Sequence, residues 1–248
     1  DPEAQIGIIE NLIATEPDVI EIDPTSTDGI NTAIEEAATM GITVVTSGSR
    51  TSSEHVSCSI TADNYQGGVS CGKEMVKLLN GAGKIIVLDA TPGRDVMDAR
   101  VKGFKDGIAD SQIEIVAEQC GNSTREEALT VMENLLQANP DIDAVWAAND
   151  EMALGAVEAY KNAGYSQEQR PVIFGIDGLE DALEAVKEGT MQGTVYNDNV
   201  DQAGEIARLA VDLFKGNDIS KHKLKDGRYY MSLYQKVETG NVDEFLEK

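Results

Sequence analysis

The feature that most constrains the fold of this chain is a unit that occurs twice in its second half. Residues 144–160 and residues 172–186 each read as a short apolar run, a polar cluster and then a helical pattern. In a parallel sheet this order places Asn149 and Asp177 at the carboxyl ends of strands, the edge at which open α/β sheets bind ligands. Both side chains are rich in hydrogen-bonding groups. The pattern therefore predicts a site for a small, neutral, polyhydroxylated molecule.

The alternation of strand and helix extends along nearly the whole chain, which predicts an α/β fold with parallel sheets and right-handed crossovers. A first helix is predicted from Asp1-Pro2-Glu3, a capping residue followed by proline and an acid. Since the chain opens with a helix, we expect that a preceding strand is missing. Further strands are predicted at 19–22, 42–46, 56–61, 84–90, 113–119, 142–148, 172–177 and 192–197, and further helices at 28–40, 66–79, 96–109, 124–138, 150–163, 179–188, 200–215 and 241–247.

The net charge argues against several classes of partner, whereas the cysteine content leaves the compartment open. The 248 residues include 20 Lys and Arg against 44 Asp and Glu, a net charge of −24. Such a field repels nucleic acid and anionic membranes. No apolar run approaches the roughly 20 residues needed to span a bilayer. The three cysteines, Cys58, Cys71 and Cys120, cannot all pair within one chain. We expect free buried thiols, with a Cys58–Cys71 bridge as the alternative.

No motif in the chain supports catalysis. Residues 67–73 match the spacing of a phosphate loop, but Glu74 stands where a Ser or Thr hydroxyl should meet magnesium. His55 and His222 lack the spacing of a zinc site, and there is no nucleophile elbow. The sequence therefore predicts no catalytic residue, no metal and no cofactor.

Roles can be predicted for four further side chains from their positions in the predicted elements. Arg100 comes early in a helix, where the helix dipole disfavours a cation, so a carboxylate such as Asp177 or a ligand should hold it. A purely structural salt bridge is the alternative. Asn197 and Tyr196 face opposite sides of one strand, and we expect Asn197 to reach the site. Trp146 should pack in the core, with stacking on a ligand as the alternative.

Five motifs together resemble a known family. They are Asp23-Pro24-Thr25, Ala62-Asp63-Asn64, Arg100-x-x-Gly103-Phe104, the run NDEMALG from Asn149 to Gly155, and Gly175-x-Asp177-Gly178. In this order the sequence resembles, over nearly its whole length, the ribose-binding-protein branch of bacterial periplasmic solute-binding proteins. The resemblance implies a type I periplasmic binding protein fold: two Rossmann-like lobes, joined by three crossovers, which close on a sugar. Effector domains of the lactose-repressor type share this fold.

The resemblance also implies the domain boundaries. An N-terminal lobe would comprise residues 1–62 and 198–228, and a C-terminal lobe residues 63–197 and 229–248. The family normally begins with a strand–helix–strand segment carrying sugar-binding residues. Since that segment is missing here, we expect the N-terminal lobe to be incomplete.

Residue by residue, the resemblance implies a set of ligand contacts. Arg100, Asn149 and Asp177 match the family's sugar-binding arginine, asparagine and aspartate. Asn197 falls at the hinge, where the family often has Gln or Asn. Asp23 falls where ribose binders have an Asn.

Two departures from the family pattern argue against ribose as the assumed ligand. After strand 42–46 the family has Asp-Arg or Asp-Ser, whereas this chain has Gly48-Ser49-Arg50, so the carboxylate is absent and Arg50 is displaced by one position. After strand 113–119, residues 121–123 offer no aromatic ring to stack on a sugar. Arg50 is kept as a predicted ligand contact.

The function implied is a non-enzymatic, extracytoplasmic receptor that delivers a monosaccharide or similar polyol to the permease of an ABC importer. We expect a monomer, either periplasmic or anchored by lipid at the cell surface. The alternatives are the sensing core of a transcription regulator, which the charge of −24 fits poorly, and the sensor module of a membrane receptor kinase or chemotaxis system. An upstream signal sequence, a helix-turn-helix or a transmembrane segment would distinguish them, and turnover of a bound sugar would indicate an enzyme.

Overall fold

Strand and helix alternate along the chain, as the sequence predicts. The computed structural model describes residues 1–90, 92–222 and 224–247. The chain divides into two compact units. Unit 1 consists of Asp1–Asp63, Gly93–Asp98 and Asp198–Leu233, and unit 2 consists of Asn64–Pro92, Ala99–Asn197 and the segment that begins at Tyr234.

Unit 1 is built on a parallel sheet of four strands, which lie in the order Val19–Ile22, Thr43–Ser47, Val56–Ala62 and Tyr229–Ser232. The predicted N-cap is confirmed, because the Asp1 carboxylate accepts a hydrogen bond from the Glu3 amide. Ile20 lies opposite Val44 in the register of the sheet, and both are buried. The elements are α1 (Pro2–Ile13), β1 (Val19–Ile22), α2 (Asn31–Thr39), β2 (Thr43–Ser47), β3 (Val56–Ala62), α8 (Asn199–Phe214) and β9 (Tyr229–Ser232).

Unit 2 is built on a second parallel sheet, whose strands lie in the order Gln112–Cys120, Ala82–Asp89, Ala144–Ala147 and Val172–Phe174. Single parallel bridges link Phe174 to Gly193 and Asp177 to Tyr196. The strand Gln235–Val237 pairs antiparallel with Thr194–Tyr196. The elements are α3 (Asn64–Leu78), β4 (Ala82–Asp89), α4 (Asp95–Ile108, whose first residues belong to unit 1), β5 (Gln112–Cys120), α5 (Arg125–Ala138), β6 (Ala144–Ala147), α6 (Asp150–Asn162), β7 (Val172–Phe174), α7 (Glu180–Glu188), β8 (Thr194–Tyr196), β10 (Gln235–Val237) and α9 (Asp243–Leu246).

The core of unit 2 contains Trp146. Its ring is fully buried and stacks on Phe104, with ring centroids 4.0 Å apart and planes 4° from parallel. The interpretation of Trp146 as a core residue is confirmed.

The structure differs from the sequence predictions at several places. The predicted C-terminal lobe includes residues 93–98 and 229–233, but both segments belong to unit 1. Tyr229 pairs with Ser59 and extends the sheet of that unit, so the chain leaves it after Leu233. Cys58 and Cys71 are buried free thiols, as expected, but Cys120 is exposed. It lies at the end of β5, an edge strand whose last three residues are open to solvent.

Among the helices that the structure describes, none has the length and apolar character needed to cross a bilayer.

Candidate functional site

The centre of the candidate site in unit 2 is the buried guanidinium of Arg100. Its Nε donates to Asn64 Oδ1 at 3.1 Å, and one Nη donates to the Ala148 carbonyl at 2.8 Å. The other Nη donates to Asp177 Oδ1 at 2.5 Å and to the Tyr234 hydroxyl at 2.7 Å. Burial disfavours the charge, but the pairing with Asp177 and Tyr234 outweighs it and raises the pKa of Arg100 above its ordinary value. Of the two partners predicted for Arg100, a carboxylate or a ligand, the structure contains the carboxylate.

A close helix contact places Arg100 where it can reach these partners. Helices α3 and α4 approach so closely that a Cβ atom at Gly68 would lie 2.0 Å from the Arg100 carbonyl oxygen. Since real atoms cannot approach to that distance, glycine is required there. One turn further along α4, Phe104 stacks on Trp146 and fixes the helix against β6. Packing therefore determines the position of the guanidinium.

Asp177 lies just beyond β7 in a backbone conformation that favours glycine, with φ of 141°. Such a conformation costs about 1–3 kcal/mol and persists only where the surroundings hold it. The Asp177 amide donates to the Val195 carbonyl at 2.9 Å, and its carbonyl accepts from the Asn197 amide at 2.8 Å. Its side chain is 21% exposed. Arg100 occupies Oδ1, and no described residue bonds to Oδ2. This oxygen can therefore accept hydrogen bonds from a ligand.

Asn149 serves as the N-cap of α6. Its Oδ1 accepts from the Met152 amide at 2.9 Å, and its Nδ2 donates to the Ser123 carbonyl at 3.1 Å. An amide nitrogen carries two hydrogens, so one donor remains after these bonds. Asn149 thus has a structural role in addition to the ligand contact predicted for it.

Asp150 is a residue of this region that the sequence reasoning did not single out. Its side chain is fully buried. Its Oδ2 accepts from the amides of Gly178 at 2.6 Å and Leu179 at 2.9 Å, and its Oδ1 accepts from the Thr194 hydroxyl at 2.6 Å. Burial and the negative charge of Asp177 raise the pKa of Asp150 to about 7. The one sequence feature that could have identified Asp150 is its position next to Asn149, at the end of a predicted strand.

Asn64 and Tyr234 are also functional candidates that were missed. The Tyr234 hydroxyl donates to Asn64 Oδ1 at 2.7 Å and so completes the network around Arg100. Burial is the main cause that raises the pKa of Tyr234 to about 12. Asn64 belongs to the motif Ala62-Asp63-Asn64, which is one of the five motifs identified in the sequence. Tyr234 belongs to no recognised motif and is 134 residues from Arg100 along the chain.

In unit 1 the predicted residue Asp23 follows β1 and is exposed to solvent. Its two carboxylate oxygens accept from one Nη of Arg94 at 2.8 and 3.0 Å, and Arg94 Nε donates to Ser49 Oγ at 2.7 Å. The sequence reasoning did not predict Arg94.

Arg50, the other predicted residue of unit 1, is paired with Asp95. Its backbone amide and its Nε each donate to the Asp95 carboxylate at 2.9 Å. The guanidinium carbon lies 5.5 Å from the centre of the Tyr229 ring. Asn197, the last predicted residue, is half-buried in unit 2, and its amide helps to hold Asp177.

Residues 1–90, 92–222 and 224–247 contain no group of three or more His, Cys, Asp or Glu residues that could hold a metal ion. His222 is buried between Glu205 and Asp212, at 2.6 and 2.8 Å, and His55 is exposed.

The two parallel-sheet units, with polar side chains at their strand ends, define an α/β binding protein of the type I periplasmic class. Residues 1–218 match the family model described as "Periplasmic binding protein domain", and the chain belongs to this family. The predicted fold class is thereby confirmed.

Individual relatives agree with this assignment. The chain is 35% identical over 222 residues to the ribose import binding protein RbsB of Bacillus subtilis, which covers 89% of this chain and 71% of that protein. It is 32% identical to the ribose import binding protein RbsB of Escherichia coli over 194 residues, and this alignment covers 78% of this chain and 64% of that protein. A solved ABC transporter solute-binding protein from Bacillus halodurans, with bound myo-inositol, superimposes with a TM-score of 0.90 at 29% identity and covers 100% of this chain and 83% of that one.

Proposed function

We propose that this protein binds a neutral monosaccharide or a similar polyol and delivers it to the permease of an ABC importer. Arg100, Asn149 and Asp177 are proposed as ligand contacts in unit 2, together with Asn197. Asp23 and Arg50 are proposed as ligand contacts of unit 1. The observation that carries the proposal is the Asp177 carboxylate, fixed by Arg100 through one oxygen and open at the other.

The balance of charge in unit 2 supports a neutral ligand. The positive charge of Arg100 is already paired with Asp177, and Asp150 adds a second carboxylate nearby. Among the residues that the structure describes, no cation of this network is therefore left for a phosphate or carboxylate group on the ligand.

The pattern of donors and acceptors supports a ligand with several hydroxyl groups. Asp177 Oδ2 can accept from two hydroxyls, while Arg100 and Asn149 each retain one N–H after the bonds described above. A hydrogen bond between a charged group and a hydroxyl contributes about 1.5–3 kcal/mol. One similar protein is a ribose import binding protein, and another was solved with bound myo-inositol. Both compounds are neutral molecules with several hydroxyl groups.

An extracytoplasmic location and a monomeric, non-enzymatic role complete the proposal. Family membership supports a place outside the cytoplasm. We propose either a free periplasmic protein or one anchored by lipid at the cell surface. Recovery of the bound sugar without chemical change would support a binding protein, whereas turnover would contradict it.

Thermal unfolding against a panel of pentoses, hexoses, inositols and nucleosides tests the ligand class. A ligand present at about a hundred times its Kd adds about 2.7 kcal/mol of stability and shifts the melt clearly. The shift should disappear in Asp177→Ala and persist in Asp181→Ala, a matched change at an exposed acid of the same unit. A flat panel with the unmodified protein would contradict the proposed function.

A further inference from the structure

The inference concerns Asp150 and rests on the proposed function of the Asp177 site. Asp177 is held in a conformation that favours glycine, so the direction of its carboxylate depends on the groups that hold the neighbouring backbone. On one side these groups are Val195 and Asn197, which bond to the backbone of Asp177 itself. On the other side the chain continues into Gly178 and Leu179.

Gly178 and Leu179 are held by a single oxygen atom. Both of their amides donate to Asp150 Oδ2, at 2.6 and 2.9 Å. The other oxygen of Asp150 is taken by the Thr194 hydroxyl on β8 at 2.6 Å. Asp150 thus joins the start of α6, the loop after β7 and the strand β8 through one carboxylate.

Space for this carboxylate is reserved by the loop itself. A Cβ atom at Gly175 would lie 2.2 Å from Asp150 Oδ1, so a larger residue at that position would expel the side chain. The spacing Gly175-x-Asp177-Gly178 therefore has a physical meaning. Its first glycine leaves room for the Asp150 side chain. The amide of its second glycine, Gly178, donates a hydrogen bond to Asp150, and its φ of 78° is a conformation that favours glycine.

Asp150 cannot itself contact a ligand, because its side chain is fully buried and its two carboxylate oxygens accept hydrogen bonds from Gly178, Leu179 and Thr194. We propose that Asp150 is a positioning residue, which fixes the loop of Gly178 and Leu179 and thereby directs the Asp177 carboxylate toward the sugar. What matters is the acceptor geometry and not the negative charge.

This distinction leads to a pair of variants with opposite expected results. In Asp150→Asn the amide oxygen can accept from both backbone amides, and the amide nitrogen can donate to the Thr194 hydroxyl oxygen. The two loop bonds are therefore kept, and the bond to Thr194 is kept with its direction reversed. In Asp150→Ala both loop bonds are lost. We expect Asp150→Ala to weaken binding by about tenfold or more and Asp150→Asn to stay within about threefold of the unmodified protein.

The test is isothermal titration with D-ribose and with myo-inositol, combined with hydrogen exchange at the amides of Gly178 and Leu179. Exchange should be faster in Asp150→Ala and unchanged in Asp150→Asn. Met132→Ala serves as the matched control, because Met132 is a fully buried residue of α5 in the same unit and its truncation also destabilises the fold. This control should retain the affinity of the unmodified protein.

Three results would overturn the proposal: exchange in Asp150→Ala as slow as in the unmodified protein, unchanged affinity of Asp150→Ala, or a loss in Asp150→Asn equal to that in Asp150→Ala. Failure of the proposed function gives a different result, namely no binding of any panel sugar by the unmodified protein. The exchange comparison still decides in that case whether Asp150 holds the loop.

Discussion

Polar side chains at strand ends are held in opposite ways in the two units. In unit 1 the Asp23–Arg94 pair has both side chains substantially open to solvent, at 53% and 32% exposure. In unit 2 the Arg100 side chain is 4% exposed and bonds to four protein groups at once. An exposed ion pair contributes little to stability, whereas a buried charge is costly unless every partner is present. The hydrogen-bond network of unit 2 is therefore preorganised, whereas in unit 1 Asp23 and Arg94 can exchange each other for a ligand or water at little cost in free energy.

The largest expected effect comes from Arg100→Ala. Removal of the cation leaves the Asp177 carboxylate, Asn64 and the Ala148 carbonyl without their shared donor. We expect the free energy of unfolding to fall by about 3–5 kcal/mol, as for other broken buried pairs. Urea titration measures this change. Arg94→Ala is the matched control in unit 1 and should cost no more than about 1 kcal/mol. Equal losses in the two variants would remove the contrast between the units.

A second large effect concerns the pH dependence of stability through Asp150. Its pKa is about 7 in the folded chain, against an ordinary value near 4 for an unfolded chain. The folded state therefore binds this proton more tightly, so its contribution to stability is complete below about pH 4 and is lost as the pH rises through about 7. The difference corresponds to about 4 kcal/mol.

Asp150→Asn removes this titration. Between pH 4 and pH 8 the unmodified protein should lose about 4 kcal/mol of stability relative to Asp150→Asn, as measured by urea titration at each pH. Asp181→Asn, a change at an exposed acid of the same unit, should follow the unmodified protein. Parallel profiles for the unmodified protein and Asp150→Asn would show that Asp150 is not destabilised by burial.

The fold could be predicted well because its signal is local. Apolar runs and helical patterns repeat along the chain, and each needs only a few consecutive residues to be seen. Boundaries at the site were less accurate for a local reason too. The strand predicted at 172–177 ends at Phe174, because Gly175 admits Asp150 and Asp177 takes a conformation outside the strand region.

The partners of Arg100 were harder to predict because they are distant along the chain. Its position early in a helix indicated that something must hold it, and the carboxylate of Asp177 was among the options considered. Tyr234 lies 134 residues away, in an extended tail without a distinctive motif. The same limit applies to β9, whose pairing with β3 depends on tertiary packing and not on its own sequence pattern.

A smaller effect is expected where α3 meets α4. In Gly68→Ala the added methyl group would lie 2.0 Å from the Arg100 carbonyl oxygen and 2.8 Å from the Phe104 amide nitrogen, so the helices must separate. We expect a loss of about 1–3 kcal/mol in the free energy of unfolding, typical of overpacking. Gly7→Ala on α1, where an added Cβ would meet nothing within 4 Å outside its chain neighbours and the helix backbone, should instead stabilise the protein by up to about 1 kcal/mol. An unchanged free energy of unfolding in Gly68→Ala would show that the position of Arg100 does not depend on this close contact.

The smallest effect is expected for the Asp23–Arg94 pair, and it tests the comparison from the side of unit 1. A double-mutant cycle with Asp23→Ala and Arg94→Ala should give a coupling energy of about 0.2–1 kcal/mol, because solvent screens both side chains. Repeating the cycle at about 1 M salt should reduce the coupling further, since the screening length falls to about 3 Å. A coupling above about 2 kcal/mol that persists in salt would mean that Asp23 and Arg94 form a rigid pair comparable to Arg100 and Asp177. In that case Asp23 would be unavailable to exchange its partner for a ligand hydroxyl, and its proposed role as a ligand contact would fail with it.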